Sequence, residues 1–166
     1  MTKYQTVRQP FSPVFDEESR ILILGSFPSV KSRETGFYYG HPRNRFWRVL
    51  AYILKCEVPT TVESKKKMLI SNRIALYDVI ESCRIIGSGD SSIKDVVPAD
   101  IKQIVESTDI TAVFTNGKTA SKLYNKYQAE SVGIPTTELP STSPANAAYS
   151  LEKLTEIWSK KIKEYL

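Results

Sequence analysis

The chain has few residues of the kinds that bind metals or form cross-links. It holds two cysteines, Cys56 and Cys83, and a single histidine, His41. A zinc site built from Cys and His alone would need all three and one more ligand, and their spacing is not that of a zinc module. Neither cysteine belongs to a C-x-x-C pair, so both read as reduced thiols, one or both buried. No metal and no cofactor are expected. Long apolar runs are also missing. Nothing approaches the ~20 residues needed to span a bilayer, and Met1 to Pro10 has no signal-like apolar stretch. A cytoplasmic protein without a membrane role is expected. No internal repeat, low-complexity tract or Gly/Ser linker divides the 166 residues. They read as one domain, 1–166, large enough to bury a core without disulfides or a structural metal.

Positive charge is present in excess. The formal charge is +5 and the pI about 9.1, which fits a polyanionic partner. The basic residues are not gathered in a tail. Arg43, Arg45 and Arg48 lie among aromatics, whereas Lys65, Lys66 and Lys67 form a run of the kind found on solvated helix faces.

Arg20 to Phe27 (RILILGSF) is an apolar run too short for a helix and reads as a buried strand. Pro28 to Gly40 reads as a loop. Arg43 to Leu54 places Phe46, Val49, Leu50 and Ile53 at helical spacing, with Pro42 just ahead. Thr61 to Asn72 reads as a second helix. Ile74 to Ile80 (IALYDVI), apolar around one acid, reads as a strand or extended segment, and Ser88 to Val97 as a polar loop. Pro98 to Ser107 is helical, Ala112 to Thr115 a short strand, Asn116-Gly117 a turn, and Lys118 to about Lys126 a helix. Thr136 to Leu139 is a last strand, and Ala145 to Leu166 a long closing helix. Alternating strands and helices predict a three-layer α/β/α fold with a small, mainly parallel central sheet. Ligands in such folds bind beyond the carboxyl ends of the strands. Gly25 to Ser29, Asp78, Asn116 and Pro140 to Pro144 therefore share one rim.

Three segments could carry chemistry. Gly25-Ser26-Phe27-Pro28-Ser29 ends a strand; alone it is an ordinary turn, yet Gly25 admits a close ligand and Phe27 offers a flat apolar face. Phe37-Tyr38-Tyr39-Gly40-His41-Pro42-Arg43-Asn44-Arg45-Phe46-Trp47 sets aromatics before a His-Pro turn and Arg-Asn-Arg at a helix start. Aromatics stack on bases, arginines neutralise phosphates, and an amide both donates and accepts. Core packing accounts for Phe46 and Trp47 equally well. Leu139 to Ala147 (LPSTSPANA) is a tight loop of hydroxyl residues between prolines, whose N–H groups could face an anion. Ser143 followed by Pro144 also fits a plain helix start.

In this order and spacing the three segments resemble the uracil-DNA glycosylase superfamily, most closely its hypoxanthine (deoxyinosine) branch. That branch has a Gly-Ser-x-Pro turn, then Tyr-Tyr-x-His-Pro-Arg-Asn-x-Phe-Trp, then Leu-Pro-Ser-Thr-Ser-Pro. Leu76 to Ile80, Cys83-Arg84, Gly87-Ser88, Asp90, Ile93 and Thr115-Asn116-Gly117 also match, so the likeness runs from about Ile21 to Tyr149. It implies a monofunctional DNA glycosylase that removes hypoxanthine or uracil. Alternatives are a mismatch-specific G:U/G:T enzyme, a non-catalytic DNA-binding module, and an α/β enzyme acting on a free nucleoside. Its partner would be double- or single-stranded DNA carrying a deaminated base, and a monomer is expected.

Many superfamily members place Asp or Asn in the first motif to position the attacking water. Phe27 stands there instead, and Asn44 takes the role. Many uracil enzymes also have a histidine in the last motif, where Pro140 to Pro144 has none. Backbone N–H groups, Ser141 or Ser143 would then stabilise the departing base. The resemblance places Gly25, Ser26, Phe27, Tyr39, His41 and Asn116 around the base, with Phe27 stacking on it. Ser29, Arg43, Arg45, Pro140, Thr142 and Pro144 would contact DNA. Cleavage would pass through an oxocarbenium-like sugar while the base leaves as an anion, a step that fixed dipoles accelerate. No carboxylate pair with glycosidase spacing is suggested. Hypoxanthine and uracil present a keto oxygen beside an N–H, the reverse of adenine and cytosine. A buried carbonyl and amide pair could therefore reject the normal bases.

Overall fold

The computed structural model describes residues 3–166. The chain opens with β1 (Gln5–Arg8), and β2 (Ile21–Gly25) follows as a fully buried strand. Continuous burial is what a strand covered on both faces requires. Next come the short helix α1 (Val30–Thr35), α2 (Phe46–Leu54) and α3 (Val62–Ser71). β3 (Ile74–Asp78) is again buried throughout, and β4 (Ile80–Ile85) follows after one residue. β5 (Lys94–Pro98), α4 (Ile101–Glu106), β6 (Ala112–Asn116), α5 (Lys118–Tyr127), α6 (Ala129–Val132), β7 (Thr136–Leu139) and α7 (Leu151–Ile162) complete the fold.

β2, β3, β6 and β7 form a parallel sheet in the order β3-β2-β6-β7. Helices cover it, giving the expected three-layer α/β/α arrangement. Ile21 to Leu24, Ile74 to Leu76, Val113 and Phe114 are buried at its centre. Phe46, Leu50, Leu154 and Trp158 are packed into the same core. The edge at β3 is closed by an antiparallel bridge, in which Val14 and Leu76 exchange N–H···O bonds at 2.9 Å.

Four segments differ from the sequence reading. Pro28 to Gly40 holds α1 between the cap Ser29 and Gly36, which takes a left-handed conformation; six residues show too little apolar periodicity to reveal a helix. The polar N-terminal stretch and the supposed loop Ser88–Val97 supply β1 and β5. These flank β4 in a second, antiparallel sheet, β1-β4-β5. Both outer strands are largely exposed, so the hydrophobic pattern does not mark them. The closing helix starts at Leu151, capped by Ser150, and not at Ala145. Ala145 to Tyr149 belongs to a loop held by a distant arginine.

The two sheets meet beside the rim. β3 passes into β4 through Val79, whose N–H donates to Gly25 O at 2.8 Å, while Ile80 N–H donates to Ser26 O at 3.2 Å. This junction sets Asp78 against the end of β2.

Candidate active site

A cleft of about 480 Å³ opens at the carboxyl ends of the parallel strands, within the ~300–1,000 Å³ usual for ligand pockets. All three candidate segments reach it: Gly25 to Ser29 and Tyr39 with Asn44 line two sides, and Asn116 with Ser141 to Ser143 a third. Asp78 lies at its floor, and Ser88 to Ser91, from the loop before β5, form another wall.

Phe27 is half-buried in the cleft, with the Arg33 guanidinium 5.8 Å from its ring centre. Tyr39 adopts φ 53°, a conformation uncommon for a bulky residue. Its ring stacks on Phe46 at 4.1 Å between centres. Its hydroxyl is buried without a hydrogen-bond partner. Burial first, and then the Asp78 carboxyl, push that hydroxyl well above the ordinary tyrosine range, against the opposing effect of the Asn116 amide.

Asn44 lines the cleft just ahead of α2, and its Oδ1 accepts the Phe46 N–H at 3.0 Å. This bond fixes the amide and leaves its Nδ2 and the second lone pair of Oδ1 for the cleft. Ser141 Oγ accepts the Ser143 N–H at 3.1 Å, and Ser143 Oγ accepts the Ala145 N–H at 3.2 Å. A hydroxyl that accepts a main-chain N–H can still donate its own proton, and both serines line the cleft.

Several candidates sit otherwise than expected. Thr142 is fully buried, so it offers nothing to a phosphate. Its Oγ1 accepts from Asn116 Nδ2, and its N–H donates to Asn116 Oδ1, each at 3.0 Å. Asn116 therefore borders the cleft with both amide atoms engaged in locking the loop. Arg45 is turned inward. Its guanidinium donates to the carbonyls of Thr142 (3.4 Å), Ser143 (2.7 Å), Asn146 (3.0 Å) and Tyr149. It grips the last loop and is not presented to DNA. The loop's N–H groups do not cradle an anion either, because those of Thr142, Ser143, Ala145 and Asn146 are taken by nearby side chains and carbonyls. Short hydroxyl and amide side chains compete for their own backbone in this way.

His41, Pro140 and Pro144 lie outside the cleft lining. His41 Nδ1 accepts the Arg43 N–H at 3.0 Å, and Pro140 O accepts the Trp158 indole N–H at 2.9 Å. Pro144 and Arg43 are exposed, while Ser29 caps α1 at the cleft edge. Among the described residues, no three His, Cys, Asp or Glu side chains gather as a metal site would need. No helix among them is long and apolar enough to cross a membrane.

Sequence reasoning placed Asp78 on the rim but gave it no role, and overlooked Gln9. Asp78 is 3% exposed. Burial pushes its carboxyl up to about 6, against the opposing effects of Gln9 and the Gly25 N–H. The available signal was a lone acid inside the apolar run IALYDVI.

The parallel sheet, the strand-end cleft and the three converging segments define a nucleotide-sized site in an α/β/α enzyme. Residues 12–163 match the Uracil DNA glycosylase superfamily, and the chain belongs to that superfamily. It is 34% identical to the hypoxanthine DNA glycosylase of Methanosarcina acetivorans over 152 residues, covering 90% of this chain and 95% of that protein. It is also 34% identical to the hypoxanthine DNA glycosylase of Methanosarcina barkeri over 161 residues, covering 94% and 98%. The solution NMR structure of a Methanosarcina acetivorans protein, proposed to be a uracil DNA glycosylase, superposes with a TM-score of 0.82. That match is at 33% identity and covers 97% of this chain and 99% of the other.

Proposed function

We propose that this DNA glycosylase hydrolyses the N-glycosidic bond of a deaminated base, hypoxanthine or uracil, after the nucleotide has been flipped into the strand-end cleft. The observation that carries this reading is the convergence of Asn44, Phe27, Tyr39, Ser141 and Ser143 on one cleft. Flipping costs a few kcal/mol and is cheapest for a mispaired base. Phe27 stacks on the extruded base. Asn44, its amide held by the Phe46 N–H, aims a water at the sugar carbon as the bond to the base lengthens. The hydroxyl protons of Ser141 and Ser143 face the negative charge that develops on the base, the task that a histidine performs elsewhere in the superfamily. Arg43 meets phosphate at the exposed edge, while Arg45 and Asn116 hold the loop that carries the serines.

The test uses duplex and single-stranded oligonucleotides carrying one deoxyinosine or one deoxyuridine, with a G:T mismatch as a third substrate, in chelator. Alkali after incubation converts each abasic site into a strand break. Breaks at inosine or uracil are expected with chelator present. Cutting of the G:T mismatch alone, or no cutting of any substrate by folded protein, would overturn the proposal.

A further inference from the structure

The flipped-base chemistry above gives no task to the most deeply buried acid of the cleft. The Asp78 carboxyl lies at the cleft floor, almost wholly buried, with no cation paired to it among the described residues. Its two oxygens are not equivalent. Oδ2 accepts from Gln9 Nε2 at 2.8 Å. The orientation of that amide is fixed, because Gln9 Oε1 accepts the Phe11 N–H at 3.2 Å and Gln9 N–H donates to Glu81 O at 2.7 Å. Gln9 can therefore only donate toward Asp78. Oδ1 is left on the side of Gly25, where a Cβ would come within 2.5 Å of it and within 3.0 Å of the Tyr39 hydroxyl. Glycine keeps the space in front of both oxygens open. That hydroxyl finds no acceptor for its proton: the only amide near it, Asn116, has its oxygen engaged by the Thr142 N–H and can only donate toward the tyrosine. A buried, unpartnered donor beside a buried acceptor is an arrangement waiting for a ligand with the opposite polarity.

We propose that Asp78, oriented by Gln9, reads the flipped base: its Oδ1 accepts the ring N–H next to the keto oxygen, and the Tyr39 hydroxyl donates to that oxygen. This rests on the reading of the cleft as the base pocket. Hypoxanthine and uracil both offer an N–H beside C=O. Adenine offers a ring lone pair beside an amino group. A hydroxyl can rotate to suit either edge, whereas a carboxylate oxygen facing a lone pair cannot, so Asp78 carries the discrimination. Guanine shares the keto edge of hypoxanthine. This pair therefore separates keto from amino bases, and guanine is held back by the cost of extruding it from a good pair.

The polarity argument makes a specific test possible. In Asp78→Asn, the Gln9 amide draws the introduced carbonyl oxygen toward itself and turns the introduced NH₂ toward the cleft, where it faces the N–H of the base. The double variant combines Gln9→Glu with Asp78→Asn. Its introduced carboxylate still accepts the Phe11 N–H and now also accepts from the introduced amide, which turns the amide oxygen back to the cleft. Single-turnover excision of hypoxanthine and uracil is measured for the wild type, the single variant and the double variant. Affinity is measured for two duplexes, one carrying uncleavable 2′-fluorodeoxyinosine and one a base-free tetrahydrofuran site. Asp78→Asn is expected to lose about 100-fold in rate and most of the preference for the fluoroinosine duplex over the base-free one. The double variant should recover to within about tenfold of wild type. Base-free binding should stay within about threefold in all three proteins. Near-wild-type rates for Asp78→Asn, no recovery in the double variant, or an equal loss of base-free binding would each overturn the proposal. A wild type that prefers the fluoroinosine duplex but excises neither base would refute the catalytic reading, while the affinities would still test the base-reading one.

Discussion

Asp78 should leave a measurable signature in stability, independent of any activity. Burial raises its carboxyl from near 3.8 to about 6 in the folded protein. Each tenfold change in acidity is worth ~1.4 kcal/mol, so a displacement of roughly two decades corresponds to about 3 kcal/mol. The sign follows from which state holds the proton more tightly. Below about pH 3.8 the group is neutral folded and unfolded, and nothing is lost. As pH rises toward 6 the unfolded chain ionises first, so the native state loses ground. Above about 6 the loss is complete. The nearby tyrosine hydroxyls, Tyr39 beside the carboxyl and those of Tyr38 and Tyr77 directed to Ser12 O and Glu81, are all pushed upward and stay neutral across this range.

Asp78→Asn has no such proton to lose. Whatever fixed cost the amide carries is the same at every pH, and all other carboxylates are common to both proteins. The stability of Asp78→Asn relative to wild type should therefore grow by about 3 kcal/mol between about pH 3 and about pH 8. For a chain of this size that is a change of about 6–12 °C in the Tm difference. Urea or thermal unfolding of the two proteins across that range is the assay. Parallel stability curves would refute the burial argument, and so would a divergence of the opposite sign.

The remaining predictions concern the loop and the DNA face. Asn44→Ala should slow excision by about two orders of magnitude, near 3 kcal/mol, with much smaller change in DNA affinity; a variant that melts lower yet turns over normally would show that Asn44 serves only the start of α2. Arg45→Lys cannot span four carbonyls and should lower stability by about 2–3 kcal/mol, seen as a lower Tm, with the salt dependence of DNA binding unchanged. Arg43→Ala should do the reverse, leaving Tm in place and flattening the log–log salt slope of duplex binding by about 0.9.

The sequence revealed the parallel core because its strands are short, apolar and bounded by turns. Ile21 to Leu24 and Ala112 to Thr115 can hardly be anything else. β1 and β5 were hidden because each tucks only one valine, Val7 or Val96, against the protein and leaves its other residues exposed, too little to make an alternation. The three segments of the site were legible as groups, yet individual roles were not. Arg45 and Arg43 are two residues apart in one basic cluster, and only the path of the side chain separates a grip on carbonyls from an exposed guanidinium. Thr142 and Ser141 likewise differ in which way a tight loop turns. Gln9 had no local signal at all, because its part depends on a partner 69 positions away.

The Arg45 grip has a further consequence for how this surface can change. The guanidinium holds carbonyl oxygens, which every residue possesses, so the anchor is indifferent to the side chains of the segment it anchors. Pro144, Ala147 and Ala148 are exposed and outside the cleft lining, and are free to be replaced without loosening the hold. The enzyme thus carries an exchangeable edge on a fixed mount. Substitutions there can reshape this edge while the serines stay in register with the cleft.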